Sequence, residues 1–389
     1  MHELMPLIQS RNKLQSPLLI NRSSVQEQST KKDSIIFHVD MDHFFTAIEA
    51  REHPQFREKA LVVGANPKEG HGRGVVSTCN YHARKYGITS GMPISQAWRR
   101  CPSATFLPPN YQLYRTVSNQ IMEILQTHCP HSEPYGIDEA FLDMTDILEQ
   151  FHEATKVAQI IKQDIYSQTN LTCSVGVAPI KLIAKMASEY QKPDGLTVVN
   201  EADIIKFISP LSVRKLWGIG KKTQQKMNAD GIITINDLLR QKHSKLIDLF
   251  GAKARYLIQM LHGVTPQDRK LPSTKRQRKS ISKEHTFSSD LLDQNEIFRV
   301  IDQLATKINA KAKKRHYWFK TITVKIRYEN FETHTYSSTL RLLTCQRQQL
   351  CTEAHRLRQR HLIPDRHIRL IGVKISNLQH VTGQQTLFA

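Results

Sequence analysis

The sequence predicts an α+β protein of several domains, in which a mixed sheet-and-helix unit, an all-helical segment and a second sheet-and-helix unit follow one another. Three observations predict it. Residues 35–45, Ile-Ile-Phe-His-Val-Asp-Met-Asp-His-Phe-Phe, open as an apolar run and then alternate apolar residues with carboxylates, as a buried strand ending in a polar site does. Short strands and helices then alternate up to Val199, and from Glu201 to Val264 the periodicity turns wholly helical. From about residue 280 the order strand-helix-strand-strand-helix-strand follows, and a chain of 389 residues is too long for one ordinary core.

Asp40 lies inside the apolar run, where a carboxylate is costly unless it is paired or binds a cation. Asp42 either shares that cation site or caps the helix that starts near His43. Residues 46–52 read as helix, 60–64 as a short strand, 66–73 as a Gly- and Lys-rich loop and 74–78 as another strand. The next stretch places Tyr81, Arg84 and Lys85 at i, i+3 and i+4 on one helical face. An aromatic beside two cations suits a nucleotide base or a triphosphate; a solvated basic helix has the same spacing. A long helix follows at 111–128, with Leu113, Val117, Ile121 and Ile124/Leu125 facing inward.

The second acidic pair lies in Tyr135-Gly136-Ile137-Asp138-Glu139-Ala140-Phe141-Leu142-Asp143. Neighbours on a regular strand face opposite ways, so Asp138 and Glu139 can serve one site only from a strand end or a tight turn. Gly136 makes such a bend cheap. Asp143 and Asp146 read as surface or capping acids. A helix at 154–168, a strand at 171–178, a helix at 180–190 and a strand at 196–199 complete an antiparallel, ferredoxin-like sheet, expected to carry its helices on one face.

In the helical segment, Leu216-Trp217-Gly218-Ile219-Gly220-Lys221-Lys222 has the form of a helix-hairpin-helix turn, whose glycines let backbone N–H groups approach a phosphate. Leu249-Phe250-Gly251-Ala252-Lys253-Ala254-Arg255 is a weaker copy. Two such hairpins suit gripping a duplex backbone without reading sequence, through Gly218, Gly220, Lys221, Lys222, Gly251 and Lys253. Residues 265–283 show no periodicity and hold seven Lys or Arg against Asp268 alone, a basic linker placed at 265–279. Beyond it, strands at 319–328 and 367–376 and helices at 294–315 and 344–360 supply the second sheet-and-helix unit.

The formal charge of +20 points to a polyanionic partner, nucleic acid before an acidic membrane surface. Residues 264–380 carry 24 Lys and Arg against 10 Asp and Glu, so most of that charge sits in the last third. The six cysteines, Cys79, Cys101, Cys129, Cys173, Cys345 and Cys351, form no Cys-x-x-Cys pair, and no His cluster has zinc spacing. Scattered single cysteines suit a reducing cytosol. No run of about 18 apolar residues marks a membrane span. The first 33 residues are polar, are broken by Pro6 and Pro17 and lack a signal-peptide core; they are expected to be disordered.

Several stretches, taken in order, resemble the Y-family DNA polymerases, and most closely the translesion type of bacteria. They are Val39-Asp40-Met41-Asp42-x-Phe44-Phe45, Ser77-Thr78-Cys79-Asn80-Tyr81-x-Ala83-Arg84-Lys85-Tyr86-Gly87, Ile137-Asp138-Glu139-Ala140-Phe141-Leu142-Asp143, Gly176-Val177-Ala178 and Lys192-Pro193-Asp194-Gly195. The resemblance implies a right hand: palm at 34–44 and 110–200, small fingers at 45–109, a helix-hairpin-helix thumb at 201–264 and a βαββαβ little finger at 280–380. It implies template-directed, low-fidelity translesion DNA synthesis from dNTPs on primer-template DNA, with two Mg²⁺ ions, by a cytoplasmic monomer without membrane attachment. By position, Asp40, Asp138 and Glu139 are the catalytic metal carboxylates, with the Met41 carbonyl as a further ligand, and Asp42 is left as a cap. Thr78, Tyr81, Arg84 and Lys192 hold the triphosphate, with Phe44 and Phe45 beside the nucleotide and Phe45 as steric gate against ribose.

The end of the chain, Gln384-x-x-Leu387-Phe388 within residues 381–389, resembles the peptide by which bacterial polymerases dock on the sliding clamp. No second acidic cluster suggests a proofreading exonuclease. Gly136, Cys79, Phe141 and Trp217 stand where the family usually has Ser, Ala, Tyr and Pro, and none is a metal ligand. Two rivals remain: a nucleotidyl cyclase on a similar palm, which needs neither hairpins nor a basic tail domain, and a DNA-binding subunit with an inactive palm, against which the intact acids argue.

Overall fold

The computed structural model describes residues 34–250, 278–361, 363 and 365–381. The N-terminal extension, the weaker hairpin with Gly251 and Lys253, most of the linker and the tail residues Gln384, Leu387 and Phe388 lie outside the described residues.

The first strand, β1 (Ile36–Met41), is buried along its whole length because the sheet is covered on both faces. This corrects the expectation of helices on one face. On one side Phe37, Val39 and Met41 pack in a core with α1 (Phe44–Glu52) and with residues of two long helices further on. On the other side Ile36 joins a different core. In the chain between α1 and the long helices comes a small three-stranded sheet of β2 (Leu61–Gly64), β3 (Val76–Cys79) and β4 (Thr105–Leu107) in the order β3-β2-β4, with β4 parallel to β2. It carries α2 (Tyr81–Arg84) and α3 (Ile94–Arg100) around a compact apolar cluster of its own.

The long helix α4 spans Tyr111–His128, as its periodicity predicts. Leu113 packs half-buried against the core, and Tyr114 beside it is fully buried, its hydroxyl donating to the buried Glu49 carboxylate at 2.5 Å. The chain continues through β5 (Ser132–Pro134), β6 (Glu139–Asp143), α5 (Ala154–Thr169), β7 (Cys173–Ala178), α6 (Lys181–Ser188) and β8 (Leu196–Val198). The sheet order is β5-β6-β1-β7-β8, antiparallel except for the β7–β8 edge. Helices α4 and α5 cover one face and α6 covers the other. Helix α6 presses so closely on β7 that a Cβ at Gly176 would lie 2.0 Å from the Ala184 carbonyl oxygen. Only glycine allows that approach, and it brings the polar side of α6 over the end of β1.

Asp143 accepts from the Thr145 N–H at 3.2 Å and Asp146 is exposed, both turn or surface acids as read. The helical segment contains α7 (Ile204–Ile208), α8 (Lys221–Ala229), α9 (Ile235–Leu239) and α10 (His243–Phe250). Its buried Val213, Leu216, Ile219, Met227 and Leu238 share one core with α6. The hairpin is thereby fixed against the face of the five-stranded sheet that α6 covers.

The C-terminal unit is β9 (Ser280–Leu291), α11 (Gln294–Lys313), β10 (Tyr317–Tyr328), β11 (Thr333–Thr344), α12 (Arg347–Arg360), β12 (Ile368–Ser376) and a short β13 (Gln379–His380). Strand β9 takes in Lys283, which closed the stretch without periodicity. The main sheet runs β11-β10-β12-β9, all antiparallel. Ile322, Val324, Ile326 and Tyr328 meet both helices in the core. Strand alternation turns Thr321, Thr323, Lys325 and Arg327 to the other face. There Thr321 and Thr323 pair with Thr339 and Ser337 across to β11 at 3.0 and 2.9 Å. One side of this sheet therefore carries hydroxyls and the cations Lys325 and Arg327, with Lys325 paired to Glu284 at 2.6 Å. The loop before β3 is tied to β9: Arg73 Nη1 donates to Asp290 Oδ1 at 2.6 Å and to the Phe287 carbonyl at 3.1 Å. Among the described residues, no helix is long and apolar enough to cross a membrane.

Candidate active site

The site is built where β1 and β6 end side by side. Asp40 and Glu139 are direct cross-strand partners, which sets their carboxylates on neighbouring chains at one end of the sheet. The turn before β6 is tight: the Tyr135 and Gly136 N–H groups both donate to the Glu139 carbonyl, at 3.0 and 3.2 Å. The Met41 N–H donates to the Asp138 carbonyl at 2.9 Å, stitching that turn to the end of β1. Asp138 and Glu139 thus occupy the turn and the first strand position.

A polar cleft of about 280 Å³ opens there. Its lining brings together Asp40, Met41, Phe44, Thr78, Arg84, Asp138, Glu139 and Lys192 from the sequence expectation, and adds His43, Ser90, Lys185 and Glu189. Two lysines answer the acids. Lys192 Nζ lies 2.5 Å from Asp40 and 2.9 Å from Glu189. Lys185, from the face of α6 turned to the sheet, is in direct contact with Glu139. The buried His38 lies two residues before Asp40, hence on the same side of β1. Its Nε2 is 3.1 Å from Glu139 and its Nδ1 2.7 Å from Ser188 Oγ.

The three acids differ sharply in electrostatics. Burial, then the charges of Asp40 and Glu139, push the Asp138 carboxyl up to about 6. Burial would raise Glu139 as well, but hydrogen bonds from His38 and Lys185 and the charge of Lys185 outweigh it and hold it at about 2. For Asp40 burial pushes upward while the Lys192 ammonium pulls back. Burial lowers the His43 imidazole to about 4, so it lines the cleft as a neutral ring at pH 7. Its backbone is left-handed, with φ of 37°.

His38, Asp40 and Glu139 offer ligand atoms within 4.8 Å of one another, a set that can hold a metal ion. Sequence reading named Asp138 in this set and left out His38. In the structure Asp138 lines the same cleft but stands outside that closest trio. The signal for His38 was present as its i, i+2 relation to Asp40. Lys185 and Glu189 were also missed, although they lie one helical turn apart on α6 and its C-terminal continuation. The donors facing the cleft are mainly carboxylate oxygens, a hard set suited to Mg²⁺ rather than to a soft metal. An acid raised to about 6 among like charges marks a place short of positive charge.

Asp42 is corrected. It does not cap α1, whose start has no side-chain cap. It is 1% exposed and accepts from Thr172 Oγ1, Ser174 Oγ and the Asp194 N–H, each at 2.8 Å. Phe45 and Tyr81 do not line the cleft itself. The half-buried Phe45 stacks on Tyr114 with ring centroids 4.2 Å apart, while Phe44 is 1% exposed in the core beneath. The Tyr81 ring lies 4.7 Å under the Arg84 guanidinium, and its hydroxyl is buried without a partner among the described residues. Lys85 is exposed at the end of that helix.

At the hairpin, Gly218 has φ of +92°, a backbone that L side chains rarely adopt, and Gly220 caps α8 just before the exposed Lys221 and Lys222. Nothing lies within 4 Å of a Cβ built at either glycine, so this backbone faces open space. Trp217 packs against Tyr135 and Phe141, at ring distances of 5.2 and 6.4 Å. The hairpin therefore touches the strand and turn that carry Glu139.

The chain is similar to known proteins in sequence and in fold. A model of the impB/mucB/samB family matches residues 39–189, one of its C-terminal domain matches 278–387, and the IMS family HHH motif matches 201–232. DNA polymerase IV 2 of Methanosarcina mazei is 40% identical over 365 residues, covering 94% of this chain and 98% of that protein. DNA polymerase IV of Streptococcus pyogenes is 40% identical over 344 residues, covering 88% and 94%. Among solved structures, the Y-family DNA polymerase chimera Dbh-Dpo4(243-245)-Dbh matches with a TM-score of 0.78 at 30% identity, over 88% of this chain and 99% of its own. The crystal structure of DinB from Sulfolobus solfataricus matches at 0.57 and 28%, over 90% and 100%.

Proposed function

The chain belongs to the Y family of DNA polymerases, and from that membership and the cleft we propose how its residues divide the work of nucleotidyl transfer. Its activity is template-directed DNA synthesis of the translesion type. The observation that carries the assignment of the site is the in-register pair Asp40 and Glu139 beside Asp138, in one polar cleft with Arg84 and Lys192.

Asp40, Asp138, Glu139 and the Met41 carbonyl are the residues that would hold two Mg²⁺ ions. When bound, these supply the charge that lowers the pKa of the primer 3′-hydroxyl and offsets the leaving pyrophosphate. His38 and Lys185 keep Glu139 ionised and oriented. Lys192, Arg84, Thr78 and the unpartnered Tyr81 hydroxyl bind the triphosphate: a buried donor without a partner is costly, and a phosphate oxygen satisfies it. Phe45, braced from behind by Tyr114, closes the space beside the sugar and excludes a 2′-hydroxyl; Phe44 supports it from the core.

The five-stranded sheet with its helices (34–44, 110–200) acts as palm, and 45–109 with the three-stranded sheet as fingers. Residues 201–264 act as thumb, 265–279 as linker and 280–380 as little finger. Gly218, Gly220, Lys221 and Lys222, with Gly251 and Lys253, grip the DNA backbone. The hydroxyl and cation face of the C-terminal sheet takes the same duplex further along. Gln384, Leu387 and Phe388 dock on the sliding clamp. The chain works as a monomer in the cytoplasm, where its six cysteines stay free.

The test is primer extension by the pure protein with Mg²⁺ and dNTPs. Extension supports the reading. Formation of a cyclic nucleotide without primer would favour the cyclase, and DNA binding without extension the inactive palm.

A further inference from the structure

We propose that Asp42 and Lys162 are positioning residues that hold the turn at 192–195 from two sides, so that Lys192 reaches the cleft. The inference rests on the role given above to Lys192 in binding the triphosphate.

Asp42 sits two residues after Asp40 but does not line the cleft. Its carboxylate is buried and its oxygens are taken up by donors: Ser174 Oγ on one, Thr172 Oγ1 and the Asp194 N–H on the other, all at 2.8 Å. Ser174 Oγ in turn accepts from the Gly195 N–H at 3.2 Å. From the opposite side, Lys162 of α5 brings its ammonium to the same turn. The three N–H groups of Nζ have four acceptors in reach: the Asp194 carbonyl at 2.6 Å, Asp194 Oδ1 at 2.7 Å, the Cys173 carbonyl at 2.9 Å and the Gly195 carbonyl at 3.2 Å. An anion thus takes the N–H groups of the turn, directly or through Ser174, and a cation takes its carbonyls. Charge-assisted hydrogen bonds are the strong ones.

The turn needs such a brace. Asp194 has φ of 55°, a left-handed conformation that Asp adopts more readily than most side-chain-bearing residues but that still costs more than an extended or helical one. Lys192 lies two residues before it. Its long side chain has many rotamers, and ordering them opposes binding. A fixed backbone narrows that search, and Nζ then lies 2.5 Å from Asp40 and 2.9 Å from Glu189 at the rim of the cleft. Neither Asp42 nor Lys162 lines the cleft, so any effect of theirs on nucleotide use must pass through the turn.

The experiment is a pair of mutant cycles in the full chain, read as dNTP KM and kcat in primer extension. Lys192→Ala alone should raise the dNTP KM. Asp42→Asn puts an amide among donors, and Lys162→Met keeps the stem and removes the charge. Each should raise the dNTP KM about tenfold, the effect of losing one charge-assisted bond, with a smaller change in kcat. In the Lys192→Ala background neither should raise it further, because the group they position is gone. Lys162→Met acts at a partly exposed side chain, so it carries the test where Asp42→Asn fails to fold. If Lys192→Ala raises the KM but Asp42→Asn and Lys162→Met do not, or if their effects multiply in that background, they are plain structural staples and the proposal is overturned. If Lys192→Ala itself leaves the KM unchanged, the triphosphate role of Lys192 falls, and the positioning role with it.

Discussion

Asp138 offers the sharpest test, because the property that fits it to metal should make it a burden without metal. Burial and the neighbouring charges of Asp40 and Glu139 raise its carboxyl from 3.8 to about 6. The folded protein therefore holds that proton more tightly than the unfolded chain does. Stability from this group is full below about pH 4, where both states are protonated, and is lost as pH rises through about 6. At 1.36 kcal/mol for each tenfold in proton affinity, the rise from 3.8 to about 6 corresponds to roughly 3 kcal/mol. Asp138 is partly exposed at the rim of the cleft, so screening reduces this to about 1–2 kcal/mol. Asp138→Asn keeps the shape and removes the charge. In EDTA at pH 8 the variant should melt a few degrees above the parent, and at pH 4–5 the gap should shrink. Added Mg²⁺ at pH 8 should stabilise the parent and close most of the difference. Primer extension should fall by well over tenfold while DNA binding by anisotropy stays near the parent's, because the backbone contacts proposed above lie in the hairpin and the C-terminal sheet. Extension within tenfold of the parent would remove Asp138 from the ligand set. A variant less stable than the parent in EDTA at pH 8 would refute the repulsion argument.

Phe45→Ala should raise ribonucleotide incorporation far more than it lowers the melting temperature, because the ring is only half-buried and its loss stays below the 3–5 kcal/mol typical of a core Phe→Ala; sugar selection equal to the parent's would place the gate elsewhere. Lys221→Ala with Lys222→Ala should weaken DNA binding alike on every sequence and flatten the salt dependence of log K by about 1–2. An unchanged slope in a salt titration would take the hairpin off the backbone. Removing residues 384–389 should leave extension of a short bare primer unchanged and abolish stimulation by a loaded sliding clamp, since a tether acts through effective concentration; a truncated protein that still responds to the clamp would show that docking lies elsewhere.

The fold was legible wherever one period ran long enough. Helix α4 spans the predicted 111–128, and β10 and β12 begin within two residues of where alternation placed them and end at the predicted residues. What alternation could not show was how many layers stand on the first sheet. Strand β1 reads Ile-Phe-His-Val-Asp-Met, and its polar residues His38 and Asp40 both fall on one side, so the pattern of a buried strand is shared by one with a solvated face. The structure covers that side with α6, whose Lys185 and Ser188 satisfy the polar atoms there. A buried polar face and an exposed one differ only in partners far along the chain, here about 150 positions away for His38 and Ser188.

The same limit explains which site residues the sequence yielded. Asp40 stood out because a carboxylate inside an apolar run is expensive in every context, and Asp138 with Glu139 because a bend at Gly136 lets two neighbouring acids serve one site. Tyr81 and Arg84 stood out because helical spacing places them together, and the structure stacks them at 4.7 Å. Lys185, Glu189 and Lys162 carry no such mark, since a charged residue on a helix is ordinarily solvated. Their meaning comes from what lies across the gap: Glu139 for Lys185, Lys192 for Glu189 and the Asp194 carbonyl for Lys162. Asp42 was misread for the related reason that a local explanation, capping the next helix, was available within the sequence. The actual donors are Thr172, Ser174 and Asp194, about 130 to 150 residues away. Acids whose burden is intrinsic can thus be found from one strand, while the groups that hold them in place become visible only when the strands and helices are set side by side.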